Sequence, residues 1–296
     1  MIPVFPEFKK IEISDKKRIK SFTEGDKPYS DFDFTSLWMW DTQERRGWTE
    51  LDGNLVVKFT DYIDGQVFYS FFGHNRIEEN IKILMDYITS QKLQPTLRLV
   101  PESVVSGIFQ NRDIVKIEED EDNFDYVYAI QNLVAYPGYS YSQQRKMMNR
   151  FVKRYQNVRV TPIDLKHDQL KIKGLIALWE QKKTFDKYDE KEAFERGMLY
   201  ADSFPFICVG VFVNDDLVGF TVNEIIDEEF AISHFAKANI DYDGIYSYLM
   251  RETANVLAFQ GCNFLNCEQD LGIPGLRQAK GSYRPEFFLK KYTIKY

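Results

Sequence analysis

Apolar and polar positions along the chain trace the same series of elements twice. In the first half, residues 54–59 and 66–71 alternate as paired strands across an Asp64-Gly65 turn. Ile77, Ile81, Leu84 and Ile88 then recur at helical spacing, with Asn75 and Glu78 reading as a capping box. A strand at 96–100, a short helix opened by Pro101 and a strand at 124–130 close the half. After a helical stretch, the second half gives strands at 206–213, 217–226 and 230–236, separated by the polar turns 214–216 and 227–229. A helix over 244–260 follows, with Ile245, Leu249, Val256 and Leu257 on one side, then a strand at 261–266, a short helix at 274–280 and a final aromatic strand. Each half reads hairpin, helix, strand, helix, strand. The expected fold is α/β (α+β): two tandem modules, each a mixed, mostly antiparallel sheet flanked by helices. Proline and glycine break the pattern at 135–139, which sets the expected modules at 1–137 and 138–296.

A helix over 142–156 follows that break. Met147, Met148, Phe151, Val152 and Tyr155 form its expected buried face, and Lys146, Arg150, Lys153 and Arg154 share the other. Four cations over roughly 10 Å can track successive phosphates; a solvated amphipathic face accounts for the same pattern.

Charge sharpens this reading. The 296-residue chain carries a net charge of −7, against a general nucleic-acid or membrane coat. Yet no acid lies between Tyr126 and Ile163, where Arg145, Lys146, Arg150, Lys153, Arg154 and Arg159 fall. From Leu271 onward six cations face the single acid Glu286. Both segments suit a local anion site. The longest apolar run, 204–213, is about half a membrane span, and the N-terminus lacks a signal-peptide pattern, so a cytoplasmic location without transmembrane segments is expected. Three cysteines without a CxxC argue against disulfides and structural zinc. His74, His167 and His234 are too scattered in sequence to read as a metal set or a triad, so no metal is expected.

The densest chemistry lies near the C-terminus. The strand at 261–266 runs into Cys267-Glu268-Gln269-Asp270, and the helix behind it carries Arg277 and Lys280. Carboxylates at the carboxyl end of a strand, facing cations, suit acid/base work on an anionic or ester substrate. Glu268 and Asp270 also fit as acids complementing the dipole of the 274–280 helix. Cys267 beside these acids reads as a small buried residue, since neighbouring carboxylates disfavour its thiolate.

These residues resemble the C-terminal catalytic domain of the phosphatidylglycerol lysyltransferases and the soluble bacterial proteins grouped with it. The resemblance covers nearly the whole chain: residues 5–9 and 30–40, Gly138 with 145–151, 234–238, 244–246, and above all 266–280 with Ser282 and Tyr283. It implies two fused N-acetyltransferase-like (GNAT) modules and transfer of an aminoacyl group from charged tRNA to an amine or hydroxyl acceptor. That acceptor would be a small molecule, a peptide or a lipid headgroup. Carried over by position, Glu268 and Asp270 are the pocket acids, Arg277 and Lys280 face the donor's phosphate or ester, and Lys237 lines the groove between modules. Gly244, Tyr246, Ser282 and Tyr283 join the cationic helix as donor-binding candidates. The chain departs from the family where Cys267 replaces an arginine and Gln269 a glutamate.

Acetyl-CoA enzymes carry a glycine-rich pyrophosphate loop before the central helix. Here residues 239–244 supply one glycine and two aspartates. The leading expectation is an N-acyltransferase using aminoacyl-tRNA as donor substrate and needing no other cofactor. The alternatives are a CoA-thioester-dependent acyltransferase with a degenerate loop, and a non-catalytic binding or regulatory protein on the same scaffold.

Overall fold

A computed structural model describes residues 2–61, 65–108, 115–181 and 190–295. Asp64 of the expected hairpin turn lies outside the described residues. The strands on either side of that turn pair as expected. They belong to a first sheet built from β1 (Lys9–Lys10), β2 (Gly47–Leu51), β3 (Asn54–Thr60), β4 (Val67–Phe72), β5 (Thr96–Pro101) and β6 (Lys116–Glu119). The second sheet contains β7 (Asp125–Ala129), β8 (Val158–Pro162), β9 (Phe206–Val213), β10 (Asp216–Ile225), β11 (Phe230–Ala238), β12 (Phe264–Asn266) and β13 (Phe287–Leu289). The last strand, β14 (Lys291–Lys295), returns to the first sheet.

Each sheet has seven strands, in the orders β1-β2-β3-β4-β5-β14-β6 and β13-β7-β12-β11-β10-β9-β8. Each contains one parallel pair, β4 with β5 and β11 with β12; the other pairings are antiparallel. Parallel strands need a crossover. Helix α3 (Ile77–Ser90) supplies it in the first sheet and α9 (Ile245–Phe259) in the second. The repeated order of elements is therefore a real internal repeat of mixed α/β architecture.

A cut near residue 137 does not separate the two sheets. Beyond its parallel pair, the first sheet takes β14 from the end of the chain, and the second takes β7 from the first half. The halves thus exchange one strand each. Lys291 opens β14 and Asp125 opens β7; both are fully buried, 2.6 Å apart, and Asp31 also pairs with the lysine. Asn266 Nδ2 and the Ser30 amide and hydroxyl donate to the same Asp125 carboxylate. The buried charges are therefore paired and hydrogen-bonded, as burial in a low-dielectric interior requires.

Short helices of the first half, α1 (Lys16–Thr23) and α2 (Phe34–Met39), lie between the sheets, and α4 (Glu102–Val105) follows β5. The main core mixes both halves, with Phe34, Leu37 and Trp38 against Phe194, Phe220 and Phe235. Trp38 and Trp48 are core anchors, as expected of tryptophan. Helix α5 (Ile130–Ala135) and the basic helix α6 (Ser142–Arg154) pack on α9, while α7 (Gln169–Glu180) packs on β10 and β11. Helices α8 (Glu190–Leu199) and α10 (Pro274–Ser282) complete the chain.

Two local expectations fail. The cap before α3 is Arg76 in a left-handed conformation without a side-chain cap bond, so the Asn75–Glu78 box does not form. Asn54 instead fixes this turn, accepting from the Asn75 amide and donating to its carbonyl. On α6, Phe151 is buried but Val152 is exposed; buried Gln144 extends the packed face instead.

Candidate functional site

Strands β11 and β12 pair over only three positions, ending at Ile232 with Asn266, and then separate. A β-bulge coincides with the parting. Val222 of β10 faces Phe235 and Asn223 faces Ser233, so His234 is the extra residue of β11. Bulges re-aim a side chain, and this one brings the His234 imidazole to α2, where the Ser36 hydroxyl lies 3.3 Å from Nδ1.

Four elements meet at that ring. Glu224 from β10 places Oε2 3.6 Å from Nε2, and Glu268, just beyond β12, places Oε1 3.6 Å from Nδ1. Asp33, the N-cap of α2, accepts from the Ser36 amide at 3.1 Å. Lys20 from α1 donates to Glu224 Oε1 at 2.9 Å, and Thr35 donates to Oε2. His234 and Glu224 are fully buried; the Glu268 side chain keeps 17% exposure and is the edge of the cluster that meets solvent. Burial alone would lower the pKa of His234, but Glu224 and Glu268 outweigh it and raise the ring to about 10. Asp33 is pushed up to about 6, first by burial and then by Glu224. Burial works against the ionised Glu224 as well, yet His234, Lys20 and Thr35 bring it down to about 2.

The acidic turn is built from both halves of the chain. The amides of Cys267 and Tyr126 exchange bonds with each other's strand, so β7 continues alongside the turn. Asp270 is fully buried and accepts from Tyr126 Oη at 2.6 Å, Arg277 Nε at 2.7 Å, Arg277 Nη2 at 2.9 Å and the Gly272 amide at 2.8 Å. Burial opposes its charge, but these donors hold its carboxyl below the ordinary range. Arg277 also binds Asp122. Lys280 points its ammonium at the carbonyls of Cys267, Glu268 and Gln269, at 2.5, 3.1 and 2.6 Å. Asp270, Arg277 and Lys280 thus shape the turn and hold Glu268 at positive φ. Asp270 is saturated with donors and the Lys280 ammonium with acceptors, so neither is a free base or oxyanion donor, while Arg277 is half-exposed and anchored through Nε and Nη2. Burial pushes the Cys267 thiol up to about 12, consistent with an inert side chain.

The remaining candidates fall into separate places. Lys237 lies further along β11, 3.8 Å from the Trp179 ring and paired with Glu190; the Tyr246 phenol lies against Trp179 and the Ala238 backbone. Ser282 and Tyr283 dock α10: the Ser282 carbonyl accepts from Gln144 at 2.6 Å, and Tyr283 stacks among Tyr128 and Tyr136. Gly244, at φ 88°, lets α6 approach α9, since a Cβ there would meet the Met147 carbonyl at 2.1 Å.

Around that glycine four amides are already bonded. Asp241 donates to Asn239 Oδ1, Tyr242 to the Asn239 carbonyl, Asp243 to Tyr155 Oη and Ile245 to the Tyr242 carbonyl. Alongside, Lys146, Asn149, Arg150, Lys153 and Arg154 line a shallow hollow of about 460 Å³ made by α6 alone. Arg150 reaches Asp243 at 2.8 Å. The acidic turn does not line that hollow, and α10, which carries Arg277 and Lys280, meets α6 through the Gln144 to Ser282 bond.

Sequence reasoning missed Asp33, Ser36, Glu224 and His234. The available signal was an ionisable residue within each of two mostly apolar strands, Glu224 in β10 and His234 in β11, though Asp216 and Lys237 share those strands.

Among the described residues, no helix is long and apolar enough to cross a membrane. The chain matches the family model described as phosphatidylglycerol lysyltransferase, C-terminal, over residues 25–295. An uncharacterised protein of Mycoplasmoides gallisepticum is 24% identical over 194 residues, which are 62% of this chain and 59% of that protein. A crystal structure of a conserved protein of unknown function from Bacteroides thetaiotaomicron superposes with a TM-score of 0.84 at 27% identity, over 99% of both chains. L-PGS from Bacillus licheniformis shares the fold, with a TM-score of 0.65 at 12% identity over 97% of this chain and 92% of that one. With the family match spanning nearly its whole length, and the doubled, GNAT-like sheets as its frame, the chain belongs to the phosphatidylglycerol lysyltransferase C-terminal family.

Proposed function

We propose that this protein is an aminoacyl transferase that takes its acyl group from charged tRNA and passes it to an amine or hydroxyl acceptor. One observation carries the reading. At the loop before α9 the amides of Asp241, Tyr242, Asp243 and Ile245 are already bonded, whereas the adjoining α6 exposes Lys146, Lys153 and Arg154, for which no ion pair occurs among the described residues. A pyrophosphate needs free loop amides; a polynucleotide backbone needs a row of mobile cations. The corresponding turn of the first module, before α3, is filled by the Asn54 side chain. Both places where a GNAT-like sheet would take a CoA pyrophosphate are thus partly occupied by the chain's own bonds, which favours the tRNA donor over the CoA thioester.

An aminoacyl ester is already activated, so transfer needs two held reactants, removal of a proton from the acceptor and a donor for the departing ribose oxygen. Glu268 is the base in this scheme: the acceptor amine or hydroxyl attacks the ester carbonyl and passes its proton to Glu268, the bond from the acyl carbon to the ribose oxygen breaks, and Glu268 returns the proton to that oxygen, so the tRNA leaves with a free hydroxyl. Ser36, which bonds Glu268 at 3.3 Å, fixes the carboxylate. The roles expected for Asp270, Arg277 and Lys280 become those of positioning residues.

The test is a gel shift with mixed aminoacyl-tRNA at rising salt. Binding that weakens steeply, with a log–log slope that falls by about 0.7–0.9 for each of Lys146→Ala and Lys153→Ala, supports the reading. No binding at low salt, or an unchanged slope in both variants, counts against it.

A further inference from the structure

The cluster around His234 has more structure than a general base requires. Its Nε2 is buried with no hydrogen-bond partner, while the rest of the ring environment is fully specified. One ring nitrogen of His234, one carboxylate oxygen of Glu224 and one of Asp33 lie within 4.8 Å of one another, with all three residues buried. The Nε2 to Oε2 separation is 3.6 Å, beyond a hydrogen bond. Donors about 2.0–2.1 Å from a tetrahedral Zn²⁺ stand roughly 3.4 Å apart. The Nε2 to Oε2 spacing is that of two ligands on one ion, and Asp33 lies close enough to supply a third.

The surroundings match a metal-bound histidine. Such a ring almost always donates its other N–H to a carboxylate or carbonyl, which fixes the tautomer and frees the ligating nitrogen. Here Nδ1 faces Glu268 Oε1 at 3.6 Å and Ser36 Oγ at 3.3 Å. Thr35 orients Glu224 through Oε2, an oxygen with a second lone pair for an ion. Lys20 holds the other oxygen from a side chain that is one-third exposed.

We propose that Asp33, Glu224 and His234 form a binding site for a divalent transition metal ion. One imidazole and two carboxylates, without a thiolate, suit Zn²⁺, Mn²⁺ or Fe²⁺ better than the oxygen-only coordination of Ca²⁺ or Mg²⁺. Asp33 belongs to α2 and the other ligands to the second sheet, so a bound ion ties the first half of the chain to the parting of β11 and β12, with Glu268 in its outer shell. The site stands independently of the tRNA reading and would exist in a protein that transfers nothing.

Chelator-treated full-length protein is dialysed against ZnCl₂, desalted and assayed for retained zinc, with a parallel sample in CoCl₂ for visible spectroscopy. The wild type is expected to retain about one equivalent and, with cobalt, to show d–d bands without thiolate charge transfer. Asp33→Asn keeps a good helix cap, and Glu224→Gln keeps an acceptor oxygen for Lys20 while Thr35 turns its hydroxyl to accept from the new amide, so both are expected to fold as the metal-free wild type does by circular dichroism. Each is expected to lose at least ten-fold in retained metal. Retention below one-tenth of an equivalent by the wild type overturns the proposal. Equal retention by both variants, or a thiolate charge-transfer band, overturns it too, by placing the ion on other residues.

Discussion

The two parallel-strand junctions share a topology and differ in content. Where β4 meets β5, the buried side chains are Tyr69, Phe71, Leu97 and Val100, closed by Ile294 of the exchanged strand β14. Where β11 meets β12, the buried set includes Glu224, His234, Asn266 and Asp270, closed by the exchanged strand β7. One sheet spends its opening on packing, and the other fills the same opening with ionisable groups held by α1 and α2. A crossover between parallel strands creates a place for chemistry, but residues decide whether it is used. The first module then acts on function through what it lends: helix α2, with Asp33 and Ser36, and strand β7.

Disrupting the strand exchange should have the largest effect. Lys291→Ala leaves Asp31 and Asp125 buried without their cation and is expected to cost about 3–5 kcal/mol in urea unfolding. Asp270→Asn strips Arg277 of a bidentate partner and is expected to act as a stability variant of the same kind, with the loss visible in the melting temperature before any assay of turnover. At the apolar junction, Leu97→Ala should cost about 2–4 kcal/mol through the cavity it leaves, without changing tRNA binding in the folded fraction.

The junctions also part in their response to pH. In chelator-treated protein, His234 has a folded pKa of about 10 against an ordinary 6.5. A raised pKa stabilises fully below 6.5 and the gain is lost as pH rises through 10. Urea midpoints should therefore fall between pH 7 and 10 by the equivalent of at least ~1 kcal/mol, and His234→Gln should flatten the curve. Tyr69, raised to about 12 chiefly by burial, contributes no such slope over that range. Smallest in stability terms is Lys153→Ala on the exposed face of α6, expected within ~0.5 kcal/mol of wild type while weakening tRNA binding.

Local periodicity exposed much of this architecture. The stripe Ile77, Ile81, Leu84, Ile88 is buried as read, and the meander β9-β10-β11 pairs as read. The strand exchange was not legible, because alternation tells which face of a strand is inward but not which sheet receives it. Lys291 looked like one cation of a basic tail; only its pairing with Asp125, distant in sequence, makes it a buried pivot. The cluster at His234 was hidden for a related reason. A bulge breaks the period-two pattern there, and its partners come from a helix cap, a strand end and a turn. Asp270 misled in the opposite direction: its place beside Glu268 suggested a shared role, whereas one carboxylate is saturated with donors and the other reaches solvent.

The most direct measurement follows release of the acyl group from mixed aminoacyl-tRNA, in the presence of dialysable and lipid extracts as acceptor pools, for wild type, Glu268→Gln and Leu97→Ala. Release above the spontaneous rate by wild type and by folded Leu97→Ala, with Glu268→Gln binding tRNA but returning to the spontaneous rate, is the predicted result. Wild-type release by Glu268→Gln would contradict the assignment of the reacting centre to the second junction.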